Sequence, residues 1–179
     1  MQTLDAGALR PNTLFLTLGS DKNKDSNINQ LVEQADKHQL GVVILRQHSR
    51  MAFGMQKNVN LWLRDRSPNW HLAMLIALQL QLNWEGKINL ITATSENKDE
   101  KRLYSFLERL SDQARLPAMT DFHVLKGEFK AATQMAPGAD INIFGLAGSL
   151  NLDFIREVPE LTKSSCLFVK DSGHESALA

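Results

Sequence analysis

The feature that most constrains the fold of this chain is a strand–loop–helix–strand sequence over residues 58–92. Val59, Leu61 and Leu63 are apolar at a spacing of two, as a β-strand requires. The run from Trp70 to Trp84 is then interrupted only by histidine, glutamine and asparagine, and a helix that is apolar nearly all round is buried on more than one side. The stretch predicts a βαβ unit and therefore a parallel sheet.

Capping and breaking residues mark the ends of this helix and of similar elements along the chain. Ser67 suits an N-cap, Pro68 suits the first helical position because its missing N–H needs no partner there, and Gly86 ends the helix. Together these patterns predict seven strands alternating with five helices. The predicted strands are Thr13–Leu18, Gly41–Leu45, Val59–Leu63, Lys87–Thr92, Phe122–Leu125, Asp140–Gly145 and Ser165–Lys170, and the predicted helices are Asn27–Gln39, Trp70–Trp84, Lys98–Ala114, Glu128–Met135 and Leu152–Leu161.

The local signals make further predictions about individual elements. The first strand is apolar on both faces, which is typical of a central parallel strand. Ser26 is expected to cap the first helix, and Pro159 leaves the length of the last helix open. Residues 171–179 form a polar tail that we expect to fray.

The alternation of elements defines the fold class. We predict an α/β domain in which a three-layer, mostly parallel sheet carries helices on both faces, in a Rossmann-like arrangement. At 179 residues the chain fits one domain with a sizeable core. We assign residues 9–171 to that domain, residues 1–8 to an N-terminal extension and residues 172–179 to a C-terminal tail.

Composition excludes several functional classes. Twenty basic residues balance twenty acidic residues, so the basic stripe typical of a nucleic-acid-binding protein is not expected. The single cysteine, Cys166, lies in an apolar strand and is expected to be an inert, buried thiol. The longest apolar run is too short and too rich in amides to span a bilayer, so we expect no direct membrane insertion by this chain.

Ligands of open α/β sheets bind beyond the carboxyl ends of the strands, so the loops there are the candidate sites. The loop after the strand at 140–145 contains Gly145, Gly148 and Ser149, whose backbone N–H groups are weak candidates for phosphate binding. Two glycines that permit a tight turn are the simpler interpretation, because no G-x-G-x-x-G or P-loop pattern is present. We therefore expect no cofactor.

Other residues that could take part in catalysis, metal binding or partner binding also have simpler explanations. Asp65 lies between two arginines that would keep it ionised, which favours a local salt-bridge cluster over acid–base catalysis. The five histidines are scattered, so a zinc site is not predicted, and a small hydrolase or transferase has no residues to support it. The connection 47–57 carries basic residues with Met51 and Met55, which fits either an anionic partner or an ordinary solvated loop; the loop is the favoured interpretation.

Several segments, taken in order, resemble the cytoplasmic C-terminal domain of the cation-chloride cotransporters, a family of amino-acid-permease-like transporters. The most specific is Leu9–Leu14, similar to a Leu-Arg-Pro-Asn-Thr-Leu signature that opens the second half of that domain. Gly41–Arg46, Val59–Asp65 with the helix after it, and Trp84–Ile88 resemble the segments that follow. Ala139–Leu146 and Leu167–Lys170 fall where the last core strands of the family lie.

The resemblance implies a fold like that of the universal stress proteins, with a five-stranded parallel core. It also departs from the animal members, because Arg66–Asn69 stand where those members have an acidic residue and two glycines. The long phosphorylatable insertion after the second strand is absent, which indicates a prokaryotic-type member. The glycine pattern of ATP-binding stress proteins is incomplete, since its last two positions are Val158 and Pro159.

The resemblance implies a function without catalysis. We expect a regulatory and dimerisation domain of a Na-K-Cl-type secondary transporter, at the cytoplasmic face of the membrane. Its expected partners are a second copy of itself and the transmembrane domain of the parent, with Asp65, Met74, Leu78 and Leu82 as candidate interaction residues. The alternative is a free-standing nucleotide-binding module of the universal stress protein type.

Overall fold

The computed structural model describes residues 12–64, 70–95, 99–146 and 148–178, which form one sheet between two layers of helices. In the described residues the predicted seven strands and five helices are all present, with bounds that differ from the predictions by a few residues. The strands are β1 (Thr13–Thr17), β2 (Gly41–Arg46), β3 (Asn58–Trp62), β4 (Lys87–Thr94), β5 (Asp121–Lys126), β6 (Ile141–Gly145) and β7 (Ser165–Lys170), and the helices are α1 (Asp25–Lys37), α2 (His71–Trp84), α3 (Glu100–Gln113), α4 (Phe129–Met135) and α5 (Leu152–Thr162).

The strands are ordered β1-β2-β7-β6-β3-β4-β5 across the sheet. Strands β3 to β7 are mutually parallel, which confirms the predicted parallel core, and β3 lies between β6 and β4. Strands β1 and β2 are parallel to each other, but β2 pairs with β7 in the antiparallel direction. After β3 the chain adds β4 and β5 on one side of this strand and then crosses back to add β6 and β7 on its other side. This change of direction places a topological switch point between β3 and β6.

The two helical layers bury separate apolar clusters. Helices α2 and α3 pack on one face, around residues such as Leu61, Leu90 and Leu107. Helices α1, α4 and α5 pack on the other, around residues such as Ile44 and Phe168. The α/β class with helices on both faces is confirmed.

Strand β1 lies at the edge of the sheet, so its predicted central position is wrong. Phe15, in the middle of the strand, is 58% exposed. An apolar pattern on both faces does not distinguish an edge strand covered by one helix from a strand covered on both sides.

Two helix ends also differ from the predictions. The Asp21 carboxylate accepts a hydrogen bond from the N–H of Asn23 and begins a single 3₁₀ turn that leads into α1, so Ser26 lies inside the helix rather than capping it. Helix α5 continues through Pro159 to Thr162, where Lys163 adopts a left-handed conformation and its N–H donates to the Pro159 carbonyl.

In the described residues 171–178 the chain beyond β7 contacts the domain through Asp171 and Ala177, so the expected fraying of this tail is wrong. Ser67 and Pro68, the predicted cap and first helical residue of α2, lie outside the described residues, and Trp70, the described residue at which α2 begins, supplies no side-chain cap. The Asp171 carboxylate fills that role by accepting the backbone N–H groups of His71 at 2.9 Å and Leu72 at 3.1 Å. Ala177 is buried, and its N–H donates to Nδ1 of His71 at 3.1 Å.

Replacing Asp171 by alanine should lower the free energy of unfolding by about 1 kcal/mol, because two N–H groups at the start of α2 lose their acceptor. Asp171→Asn keeps one acceptor oxygen and should lose roughly half as much. Urea denaturation of the wild type and both variants measures the difference. Equal stability of wild type and Asp171→Ala would contradict the capping role.

Candidate functional site

A cavity of about 420 Å³ opens at the carboxyl ends of β3, β4 and β6, on the face covered by α4 and α5. This is the switch point of the sheet, and the candidate loop predicted after the strand at 140–145 lies here. Its walls are the rings of Trp62, Phe129, Phe144, Phe154 and Phe168, and we call it the ring-lined cavity.

The register of three neighbouring strands brings these rings together. Trp62 of β3 pairs with Phe144 of β6, and Phe144 pairs with Phe168 of β7, so the three side chains lie side by side on one face. Trp62 stacks on Phe144 with ring centroids 5.4 Å apart, and Phe144 stacks on Phe168 at 5.5 Å. Phe129 of α4 and Phe154 of α5 close the cluster from above, 5.4 Å apart.

A buried hydrogen-bond network fixes the tryptophan in this wall. The indole N–H of Trp62 donates to Oδ1 of Asn142 at 2.7 Å, and Nδ2 of Asn142 donates to the Ser164 hydroxyl at 2.6 Å. Asn60 pairs with Asn142 on one side and with Asn89 on the other, and Nδ2 of Asn89 donates to Oδ1 of Asn60 at 2.8 Å. Because each polar group has a partner, the network fixes the ring orientation without the cost of an unsatisfied buried group.

As far as the structure describes it, the rim of the ring-lined cavity is polar and nearly neutral. In the described part of the lining the charged residues are Arg64 and Glu128, of opposite sign. Helix α5 begins at the rim, where the Asn151 carboxamide accepts the N–H of Phe154 at 3.0 Å and Asp153 lies in the first turn. The Asp153 carboxylate pairs with Lys22 at 2.7 Å and with Arg156 at 3.5 Å, and Arg156 also pairs with Asp25. These two cations and two carboxylates balance, and the Asn151 cap takes up one N–H group, so this helix start offers little to a phosphate.

The structure places the predicted glycine-loop residues at this cavity. Gly145 and Ser149 line it, and Gly148 lies between them with a φ of +70° that suits glycine. Asp65 lies outside the described residues. The aromatic wall was missed from the sequence, although one signal was available: Trp62 and Phe144 stand near the carboxyl ends of two predicted strands.

The candidate interaction residues of α2 divide between the core and the surface. Met74 is 0% exposed, so the prediction that it belongs to an interaction surface is wrong. Helix α2 packs on β3, β4, β6 and β7, and Met74 lies on the side of the helix that faces this sheet. Leu78 is half-buried, and Leu82 is 67% exposed. Leu75 was not among the predicted residues. It is 39% exposed, lies one turn before Leu78 on the same side of α2, and therefore extends this surface.

The connection 47–57 is a largely exposed loop that packs Phe53 against the core, in line with the favoured interpretation, and side-chain hydrogen bonds also order it. The Asp140 carboxylate accepts the backbone N–H groups of Met55, Lys57 and Asn58, each at 2.8 Å. Nδ1 of His48 accepts two further N–H groups of the loop, those of Arg50 and Met51. The loop thus obtains from two side chains the hydrogen bonds that a strand obtains from a neighbour.

The remaining candidates for chemistry are structural. Cys166 is 0% exposed, and burial raises the pKa of its thiol to about 12, which makes it a poor nucleophile. In the described ranges no three histidine, cysteine or acidic side chains lie close enough together to hold a metal ion. No helix in the described part of the chain is long and apolar enough to cross a membrane.

Comparison with known proteins identifies the family. Residues 54–178 match the family model of the prokaryotic cation-chloride cotransporter C-terminal domain, second part, and residues 1–53 match the model of its first part. The chain belongs to this cotransporter family. The resemblance noted in the sequence is thereby confirmed.

A solved structure supports the same assignment for the cotransporter domain. The cytoplasmic domain of a prokaryotic cation chloride cotransporter is 31% identical, with a TM-score of 0.89 over 98% of this chain and 70% of that chain. A universal stress protein from Archaeoglobus fulgidus DSM 4304 is 15% identical over 88% of this chain and 60% of that one, with a TM-score of 0.55, which confirms the predicted type of fold. No curated protein shows significant similarity.

The sequence resemblance placed this chain in the second half of the cotransporter C-terminal domain, and the family models make that placement more precise. Their boundary, between residues 53 and 54, falls in the connection between β2 and β3. The first part therefore contributes β1, α1 and β2, and the second contributes the five parallel strands. The antiparallel pairing of β2 with β7 joins both parts into one sheet.

Proposed function

We propose that this chain is a non-catalytic regulatory and dimerisation domain in the cytoplasmic tail of a Na-K-Cl-type cotransporter. The observation that carries the proposal is the family match over residues 54–178, together with the structural similarity to a cotransporter cytoplasmic domain. On this proposal the domain lies at the cytoplasmic face of the membrane. Its partners are a second tail and the transmembrane domain of the parent protein.

The surface that fits a second copy is the outward side of α2. Leu75 and Leu82 are exposed there beside the half-buried Leu78, and His71–Trp84 contains no aspartate, glutamate, lysine or arginine. Two copies related by a twofold axis can bring this surface together without like-charge repulsion and with burial of leucine side chains. The surface replaces the predicted set that included Met74.

Paired tails give a physical route to regulation. A change in the packing of the two domains that is linked to one state of the transmembrane helices shifts the population of that state. By thermodynamic linkage, ion binding in the membrane region would change the packing of the tails by the same free energy.

Replacing Leu82 by glutamate should weaken self-association by at least about tenfold, since an apolar contact is replaced by two facing like charges. The Leu82 side chain is mostly exposed in the single chain, so the fold should tolerate the charge. Leu31→Glu, on α1 in the opposite helical layer, is the matched control and should leave association unchanged. Sedimentation equilibrium measures both. A wild type that stays monomeric at high micromolar concentration would contradict the pairing.

The effect on transport needs the parent protein. In proteoliposomes that contain the full transporter, the rate of ⁸⁶Rb⁺ uptake should require both Na⁺ and Cl⁻, and Leu82→Glu should change that rate. Uptake that is independent of Na⁺ would rule out the Na-K-Cl type, and equal rates in both proteins would rule out regulation through this surface.

A further inference from the structure

We propose that the ring-lined cavity binds an uncharged, planar aromatic molecule. This goes beyond the proposed role in pairing, because the cavity lies over β3 and β6 on the face opposite α2 and does not depend on a second copy. The size and surface of the cavity, its charge and the polar groups at its rim all fit such a molecule.

The cavity has the size and surface of a small-molecule site. Its volume of about 420 Å³ lies within the range of about 300–1,000 Å³ found for ligand pockets, which are mostly apolar and aromatic. Phe154 faces it from α5 and is still 39% exposed, and Trp70 at the mouth is half-buried. A flat molecule in the cavity would cover these ring surfaces, and stacking on aromatic side chains favours a planar π-system.

The charges of the described part of the lining favour an uncharged molecule. Within the described lining Arg64 is the cation and Glu128 offsets it. At the start of α5, Asn151 caps the N–H of Phe154, and the charge of Asp153 is balanced by Lys22 and Arg156. A phosphorylated or carboxylated ligand would lose its hydration at this site and gain little in exchange.

Neutral hydrogen-bonding groups stand where they can orient such a molecule. Ser95 and Ser149 lie on opposite sides of the mouth, on the segments that follow β4 and β6. A hydroxyl both donates and accepts hydrogen bonds, so the rim fits an amine or hydroxyl substituent at the edge of a flat ring system.

The three tryptophans provide a test with a built-in control. Trp62 and Trp70 line the cavity, whereas Trp84 lies at the far end of α2, near the amino end of β4. The probe is 1-aminoanthracene, a planar molecule that is uncharged at neutral pH, titrated into ¹⁵N-labelled full-length chain. We expect the indole N–H signals of Trp62 and Trp70 to shift in a saturable manner, while the signal of Trp84 stays in place.

Two matched variants locate the binding. Ser149→Phe should fill the mouth and weaken probe binding by about tenfold or more, equivalent to about 1.4 kcal/mol. Ser49→Phe makes the same change at the opposite edge of the sheet and should leave binding within about twofold. Both serines are exposed, so thermal unfolding should show that both variants remain folded.

Four results would overturn the proposal. Three come from the probe: no indole shift at its highest soluble concentration, equal shifts at Trp84, and unchanged affinity in Ser149→Phe. The fourth comes from a parallel titration with Mg-ATP, which tests the selection by charge: Trp62 responds to Mg-ATP but not to the uncharged probe. None of these results bears on self-association, so the two proposals fail independently.

Discussion

Replacing Asp140 by alanine should lower the free energy of unfolding by about 3 kcal/mol at neutral pH. Three backbone N–H groups of the 54–58 segment donate to this one carboxylate, and each charge-assisted hydrogen bond is worth about 1.5–3 kcal/mol. The expected loss is smaller than the sum of the three bonds because water can reach part of the exposed loop once the carboxylate is gone. Gly54 fits closely here, since an added Cβ would lie 2.0 Å from Oδ1 of Asp140.

The effect should depend on pH in a defined direction. Partial burial raises the pKa of Asp140, but the backbone amides of Asn58, Lys57 and Met55 outweigh it and hold the pKa below its ordinary value. A carboxyl whose pKa is lower in the folded state contributes its full stability above the unfolded pKa of about 3.9 and loses it as the pH falls through the folded pKa. The stability difference between wild type and Asp140→Ala should therefore shrink in acid.

Urea denaturation at neutral pH and at a series of acidic pH values measures both effects. Asp121→Ala is a suitable control, because Asp121 is an exposed carboxylate that pairs with Lys87 and should contribute less than about 1 kcal/mol. If Asp140→Ala and Asp121→Ala proved equally mild, the loop would not depend on this carboxylate.

Replacing Asn142 by leucine should cost about 3 kcal/mol, although the two side chains are similar in volume. The buried indole N–H of Trp62 would lose its acceptor, and the buried Ser164 hydroxyl would lose its donor. Each unpaired buried group costs about 1–3 kcal/mol. The same change should loosen the wall of the ring-lined cavity, because the orientation of Trp62 depends on this bond.

A double-mutant cycle of Asn142→Leu with Trp62→Phe isolates the energy of the hydrogen bond between Trp62 and Asn142, since phenylalanine has no N–H to leave unpaired. The double variant should be more stable than the sum of the two single losses predicts, by about 1 kcal/mol or more. Strict additivity would show that Asn142 and Trp62 are not energetically coupled. Chemical denaturation of the four proteins provides the measurement.

The order and type of the elements could be predicted from the sequence because each is encoded locally. The spacing of Val59, Leu61 and Leu63 predicts β3 without any knowledge of its neighbours. The direction of β7 relative to β2 is not encoded in this way, since an apolar strand reads the same in both directions. The docking of the tail depends on Asp171 meeting the start of α2, a contact between residues a hundred positions apart.

The location of the candidate site was predictable, but its character was not. Parallel topology alone places ligand loops at the carboxyl ends of the strands, and Gly145 and Ser149 lie there. The aromatic wall depends on the alignment of Trp62 with Phe144 and of Phe144 with Phe168, which is set by strand register. Likewise, an apolar helix such as α2 does not reveal which of its leucines and methionines face the sheet.

The pairing of β2 with β7 has a consequence for synthesis of the chain on the ribosome. β2 is synthesised before β3 to β6, yet its antiparallel partner is β7, so Val42 has no partner on that side until Lys170 has been added. Pairing over so large a sequence separation is slow to form, and an apolar strand with an open edge is prone to pair wrongly in the meantime. The nascent chain can assemble β3 to β6 as they emerge, but β1, α1 and β2 join the sheet only when translation of β7 is complete.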